Sequence, residues 1–337
     1  MTTRIRRGMV FATTVLEPVI EVAQEAESAG FDRVWTTEYV GRDAIARALA
    51  IAMRTTRIRV GTGVAYAFAR LPLAMAALAS DVQRLSEGRF DLGLSAGTRG
   101  VRRWFGAEFD PPAPTMAAYV DSLREIWAKS GEYADPPSRI YLAAFNEVMT
   151  RHSARVADGV LLHPLAAGGV HFRERILPAI ERGSRDRVHT LEIVAWRITS
   201  IDVDEELARA RAAAQLAFYL STPSYSTALD GTEWEGIPRR VQEAFSGRDV
   251  SSAPPWLEYG RAIPDAMIDE FALVCTPSNA ATAIAGLEAD LISAGIDEVV
   301  LQTVGAGLED QTVIDNCRLI ASSFARTDEG EDDEQQG

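Results

Sequence analysis

Residues 58–68, IRVGTGVAYAF, open like a buried strand and then place Gly61 and Gly63 on either side of a single threonine, Thr62. A strand that ends in glycines belongs either to a nucleotide-binding sheet or to the rim of a barrel, and the choice decides the architecture. A dinucleotide fingerprint requires G-x-G-x-x-G opening a helix at once. Here Tyr66 occupies the third glycine position, and the next helix signal comes only at Pro72. The stretch GLSAGTRG (93–100) fails too, because Gly93 and Gly97 stand four apart. The Gly-Lys-Ser/Thr of a phosphate loop does not occur in the chain.

Working outward, short apolar runs alternate with helical patterns. Strands are predicted at 8–13, 32–36, 57–64, 89–97, 139–145, 158–164, 191–202 and 297–305. Helices are predicted between them, among them 42–56, 72–88 and one from Thr276 to Gly295, with Thr276 as cap and Pro277 in the first position. Eight strands followed by helices fit a (β/α)8 TIM barrel or an open doubly wound sheet. The strand count and the 337 residues favour the barrel, whose usual size is about 250 residues plus insertions. One barrel domain over 1–326 is expected. Residues 221–263, rich in Pro, Gly, Ser and aromatics, interrupt the rhythm. A connection of that length is functional or disordered, and Tyr225, Trp234, Trp256 and Tyr259 favour an ordered insertion over the barrel mouth.

The formal net charge of −14 opposes binding to nucleic acid or to an anionic membrane. Six acids and no apolar residue make up most of 327–337, which reads as an acidic disordered tail. The two cysteines, Cys275 and Cys317, show no ligand-like spacing. That pattern fits a reducing cytoplasm. The four histidines form no HExxH or HxH pattern, so no metal is expected. The basic N-terminus is not followed by a long apolar stretch, and neither a signal peptide nor a transmembrane span is expected.

Three predicted strand ends, GTGVA (61–65), LSAGT (94–98) and LAAFN (142–146), carry small residues at the face where barrels place their chemistry. Glycine there lets a ligand approach the backbone. A broad flat ring suits such a floor better than a compact phosphate. The alternative is close packing at a barrel corner.

The stretches GFDRVWTTEY (30–39), RIRVGTGVAYAFARLP (57–72), LSEGRFDLGLSAG (85–97), RRWFG (102–106), VADGVLLHP (156–164) and TPSNAATAIAGLEADLISAGIDEVVL (276–301) together resemble the bacterial luciferase-like superfamily. They are closest to its coenzyme F420-dependent oxidoreductases. The resemblance runs along most of residues 8–305 and leaves out the insertion and the tail.

The resemblance implies a bulge after the third strand, with a non-prolyl cis peptide at Gly63–Val64 backing the central ring of a flavin or deazaflavin, flanked by Ala65 and Tyr66. It places Ala96, Gly97 and Thr98 near the ring edge and ribityl chain. It places Ala143, Ala144, Phe145 and Asn146 near the chain and phosphate, with the helix opening at Asn146 as a phosphate contact. On this view Gly63→Leu obstructs the ring and spares the core. Glu38 and Tyr39 stand where relatives carry an acid and a catalytic histidine. Glu38 would serve as acid or base if burial raises its pKa, or would merely pair with Arg42 or another arginine of the mouth. Tyr39 would donate a proton or a hydrogen bond. The missing histidine speaks against a sugar-phosphate reaction. Trp35 is expected to pack in the core. Of Trp196 and Arg197 one must face inward, and Arg102 and Arg103 either reach an anionic cofactor tail or solvate a loop.

The function this implies is hydride transfer between coenzyme F420 and a small organic substrate. The alternatives are an FMN-dependent monooxygenase of the same superfamily and a non-catalytic barrel subunit that has lost the cofactor. A cytoplasmic homodimer, with a small-molecule substrate and neither nucleic acid nor membrane as partner, is expected.

Overall fold

The computed structural model describes residues 4–11, 13–108, 111–247 and 253–326. The predicted tail at 327–337 lies outside them. The strands are β1 (Arg6–Phe11), β2 (Arg33–Thr36), β3 (Arg59–Thr62), β4 (Ala65–Tyr66), β5 (Phe90–Ser95), β6 (Arg139–Ala144), β7 (Gly159–Leu162), β8 (Glu192–Ile201), β9 (Ala272–Cys275) and β10 (Glu298–Thr303). Every pairing between them is parallel, in the order β10-β1-β2-β3-β5-β6-β7-β8, and β10 returns to β8 to close the sheet. This is a (β/α)8 barrel, with β4 continuing β3 beyond a break at Gly63–Val64, where the peptide bond is cis.

The eight predicted strands all appear, shifted by a few residues at their ends. β9 was not foreseen. It pairs with Ile198–Ile201 at the upper end of β8, above the point where β7 stops, so it adds to the barrel without changing its count. The helix predicted from Thr276 begins instead at Ala280, after a turn over Pro277–Asn279. The Asn279 side chain takes the backbone N–H of Thr276 at 2.8 Å, which holds that turn in place of a helical one.

The interior of the barrel is layered, as alternation along each strand requires. The lowest layer is ionic. Arg33 is buried at its centre and meets Asp91 at 3.1 Å, Glu192 at 3.1 Å and Glu298 at 3.0 Å. Arg6, Arg59 and Arg139 close the rim against the same acids at 2.9, 2.7 and 2.7 Å. Above it lies an apolar layer of Val10, Trp35, Tyr141, Leu161, Val194 and Val300, with Val64 and Trp196 packed against them. Trp35 is in the core, as expected, and donates its indole N–H to Glu298 at 2.9 Å. The Tyr141 hydroxyl reaches Glu192 at 2.9 Å. The outer faces of the strands meet the helices in a large apolar cluster that includes Ala65, Ala96 and Ala144.

The glycines of the deciding stretch are explained by this interior. A Cβ on Gly61 would stand 2.5 Å from the Trp35 ring, and one on Gly63 would stand 2.6 Å from the Trp196 ring. The space freed by the two missing side chains is filled by tryptophans of the protein itself. Close packing, the alternative weighed above, accounts for the side-chain face of both residues, and Gly63→Leu cannot spare the core.

Residues 221–263 are ordered where described, with helices at Ile237–Ser246 and Trp256–Gly260. Together with the helix Glu205–Leu220 they form a second apolar cluster around Leu216, Leu229, Ile237 and Trp256. No helix among the described residues is long and apolar enough to cross a membrane.

Two outcomes follow from this interior. Gly61→Ala should lower unfolding free energy by about 1–3 kcal/mol, the usual cost of overpacking a rigid core. Gly131→Ala, where an added methyl meets nothing within 4 Å, should stay within about 0.5 kcal/mol of the parent in the same urea titration. The second concerns pH. Burial, opposed by Arg33, pushes the Glu298 carboxyl up from 4.5 to about 7. Burial also acts on Glu192, but Arg33, Arg139, Arg6 and the Tyr141 hydroxyl outweigh it and bring that carboxyl down from 4.5 to about 2. The fold therefore binds the Glu298 proton more tightly than the unfolded chain does, and stability from this group falls as pH rises from 4.5 to about 7. The Glu192 contribution is lost as pH falls from 4.5 to about 2. Denaturation midpoints against pH should show both slopes, and Glu298→Gln should flatten the upper one. An unchanged upper slope in that variant would refute the assignment.

Candidate active site

The C-terminal ends of the strands form the mouth. After β2 the chain is fixed by two long-range bonds. The Thr37 hydroxyl donates to the Phe11 carbonyl at 3.1 Å, and the Glu38 N–H donates to the Val64 carbonyl at 3.2 Å. A tight reversal follows, in which Tyr39 and Arg42 exchange backbone bonds at 3.2 and 3.1 Å. Gly41 supplies the positive φ of +77° that the reversal needs.

Glu38 is half-buried beside Arg70, whose Nη1 donates to both carboxylate oxygens at 3.0 and 2.9 Å. Arg70 also binds Asp43, and its carbonyl accepts the Tyr119 hydroxyl at 2.8 Å. Burial raises the Glu38 pKa, and Arg70 pulls it back. The alternative of an arginine partner thus holds in its second form, with Arg70 and not Arg42. The two residues are separated by 32 positions, and no local spacing signals their pairing. Tyr39 is exposed, edge-on to Trp104 at 6.1 Å, with the Arg42 guanidinium 5.7 Å from its ring centroid.

The other predicted positions divide by strand alternation. Val64 belongs to the interior layer and Ala143 is half-buried. The side chains of Ala65, Ala96 and Ala144 are buried against the helices. The earlier expectation that every small residue at these strand ends projects into the mouth is corrected for these three, which leave only backbone to meet a ligand. Gly97 has φ +63°, and a Cβ there would stand 2.9 Å from Phe68. Thr98 caps the short helix Arg99–Trp104 by accepting the Val101 N–H at 3.3 Å. Arg102 is buried and donates to the Gly97 carbonyl at 2.7 Å, whereas Arg103 is exposed. Trp196 is the inward member of its pair. Arg197 points out to the Asp269 and Glu270 carbonyls at the end of the helix Asp265–Phe271.

Phe145 and Asn146 are drawn into protein contacts. Phe145 packs between His163, His171 and Tyr225. Asn146 caps the helix Glu147–Val156 by accepting the Met149 N–H at 2.9 Å, and Glu147 pairs with Arg182 at 2.7 Å. The amide the sequence reading offered to a phosphate is partly taken.

The insertion expected over the mouth contributes to the far wall through contacts that no local spacing signals. Tyr225 of the insertion stacks on His163 at 4.2 Å, and its phenol is near enough to Tyr66 to raise that hydroxyl's pKa further. Tyr219 stands edge-on to His163 at 4.3 Å and accepts from the Gln302 side chain. Burial brings the His163 pKa down to about 3, so the ring is neutral and no general acid near pH 7. The aromatic residues of 221–263 were the available signal, but their partners lie on distant strands.

Four polar atoms at the mouth are buried without a hydrogen bond: Arg42 Nε, His163 Nε2, Trp196 Nε1 and the Gln302 Oε1. Orphaned groups of this kind cost free energy until a ligand meets them. With the backbone floor at Gly63–Val64, Ala143 and Gly97, the His163, Trp196 and Gln302 atoms fit a flat ring carrying both donors and acceptors.

A closed parallel barrel with a polar, aromatic mouth defines a (β/α)8 protein. The chain matches the luciferase-like monooxygenase family over residues 2–294 and belongs to it. An uncharacterized Mycobacterium tuberculosis protein is 32% identical over 286 residues, covering 75% of this chain and 82% of that one. A putative coenzyme F420-dependent oxidoreductase of the same organism is 39% identical over 110 residues, 32% of each chain. The 5,10-methylenetetrahydromethanopterin reductase of Methanolobus tindarius is 26% identical over 309 residues, 84% of this chain and 90% of that one. In fold, the F420-dependent tetrahydromethanopterin reductase of Methanopyrus kandleri superposes with a TM-score of 0.72 at 20% identity, covering 95% and 98% of the two chains. The oxygenating constituent of 3,6-diketocamphane monooxygenase of Pseudomonas putida, solved with FMN, gives 0.62 at 15% identity over 96% and 98%.

Glu38→Gln should lower kcat by about 10²–10⁴-fold, the usual contribution of a positioned acid or base, with cofactor affinity little changed. Tyr39→Phe should cost less, because a phenol needs a larger pKa shift to act near neutrality. If both variants turn over like the parent, the pair with Arg70 is structural only.

Proposed function

We propose that this protein is a coenzyme F420-dependent oxidoreductase acting on a small organic substrate. The observation that carries the reading is the similarity to two relatives, one named as a putative F420-dependent oxidoreductase and one as a reductase, the latter along most of both chains. When bound, the deazaflavin would accept or deliver hydride at C5, and the protein would supply position and electrostatics. Gly63, Val64, Ala65, Ala96, Gly97, Thr98 and Ala143 would hold the ring and its chain, largely through backbone. Ala144, Phe145 and Asn146 would lie at the distal end. Glu38, buried beside Arg70, would hold or pass a proton, and Tyr39 would fix the substrate by hydrogen bond. Tyr66 and Tyr225 would exclude water.

The second reading, an FMN-dependent monooxygenase, is favoured by the family description and by the FMN complex among the neighbours. Both cysteines are free and buried, which supports a cytoplasmic setting. A homodimer is supported by exposed Leu78 and Leu85, seven residues apart on one face of the helix Pro72–Leu85. Fluorescence titration of purified protein should show tighter binding of F420 than of FMN, and light scattering of the same sample should give twice the chain mass. FMN binding at least as tight would transfer the assignment to the monooxygenase, and a single-chain mass would withdraw the dimer.

A further inference from the structure

Among the described residues no carboxylate forms an ion pair with Arg42 at the mouth, and Asp310 acts on it only from a distance. The Arg42 backbone is fixed by the exchange with Tyr39, and its charge acts on Tyr66, on Tyr219 and on Asp310. Those groups belong to β4, to the helix after β8 and to the helix after β10, so the guanidinium lies over the strand ends and not outside the barrel. Among the described residues no ion pair reaches it, and its buried Nε makes no hydrogen bond.

The neighbouring acids are all committed elsewhere. Glu38 is held by Arg70 and the Tyr66 N–H. Asp43 is held by Arg70 and caps its helix through the Ala46 N–H. Asp310 is taken by the hydroxyls of Thr13 and Thr14 and by the Thr14 N–H at 3.1 Å. Arg47 adds a second positive charge nearby, while its own donors go to the Thr14 and Val15 carbonyls. A guanidinium half withdrawn from water, beside a like charge and with no carboxylate in direct contact, is stabilised by a ligand that supplies the anion. Its planar fork matches a carboxylate or phosphate, and the open face of Tyr39 lies beside it.

We propose that Arg42 binds an anionic oxygen group of the substrate, a carboxylate or phosphate, and restricts this enzyme to acidic substrates held beside Tyr39 and Tyr66. The inference rests on the mouth being the cofactor and substrate site. The anion could equally be the cofactor's own, and the test separates the two sources.

Benzoate, benzamide and inorganic phosphate serve as probes, read by thermal shift and by perturbation of bound F420 or FMN fluorescence. In the parent protein loaded with cofactor, benzoate or phosphate should bind saturably and neutral benzamide should not. Arg42→Met should weaken the anion by about tenfold or more, as expected for loss of a charge-assisted pair, and leave cofactor affinity within about twofold. Arg42→Lys should retain part of the response, which guards against a folding defect in the methionine variant. The proposal is overturned if no anion binds the loaded parent, or if Arg42→Met loses cofactor affinity instead. Failure of both cofactors to bind would sink the oxidoreductase reading separately, because Arg42-dependent anion binding to the bare protein can still be measured.

Discussion

The buried guanidinium of Arg33 is the interaction on which the rest of the barrel depends. It lies on the barrel axis among Asp91, Glu192 and Glu298, each contributed by a different strand. A charge so far from water is tolerated only when paired and hydrogen-bonded, and removing one partner of such a set typically costs about 3–5 kcal/mol. The three acids outnumber the central cation, and Arg6, Arg59 and Arg139 restore the balance at the rim. The registers Arg6 to Glu298, Gly61 to Asp91 and Gly159 to Glu192 are thereby tied together at one end of the barrel.

With that end closed, the next layer has a defined shape. Trp35 and Tyr141 meet edge to face at 5.5 Å, and both are anchored to the acids below through their polar atoms. Their bulk requires glycine on the facing strands. Gly61 yields to Trp35, and Gly63 to Trp196. Large rings and bare backbone complement one another around the barrel. The mouth begins only above Trp196. What reaches it is mostly backbone from the third to fifth barrel strands on one wall, and aromatic side chains from residues 219–225 on the other.

This division of walls gives the site its chemistry. Glu38, paired with Arg70, and the Arg42 cation both follow β2, but they differ in kind. Glu38 has its counter-charge in direct contact, whereas among the described residues no ion pair reaches Arg42.

The sequence by itself determined the order of strands and helices, the eight-fold count and the membership that the motif set implied, because hydrophobic period and helix punctuation are local properties. It also marked the break at Gly63–Val64. It placed Ala65, Ala96 and Ala144 at the correct strand ends but not on the correct face, since a shift of one residue turns a side chain from mouth to helix layer. Only the tertiary structure decided who fills the space beside the glycines, which arginine neutralises Glu38, and how Tyr225 comes to rest on His163. Those contacts join residues that are tens to hundreds of positions apart. Nothing in the local pattern encodes them, because closure of the barrel, and not spacing along the chain, brings the strand ends together.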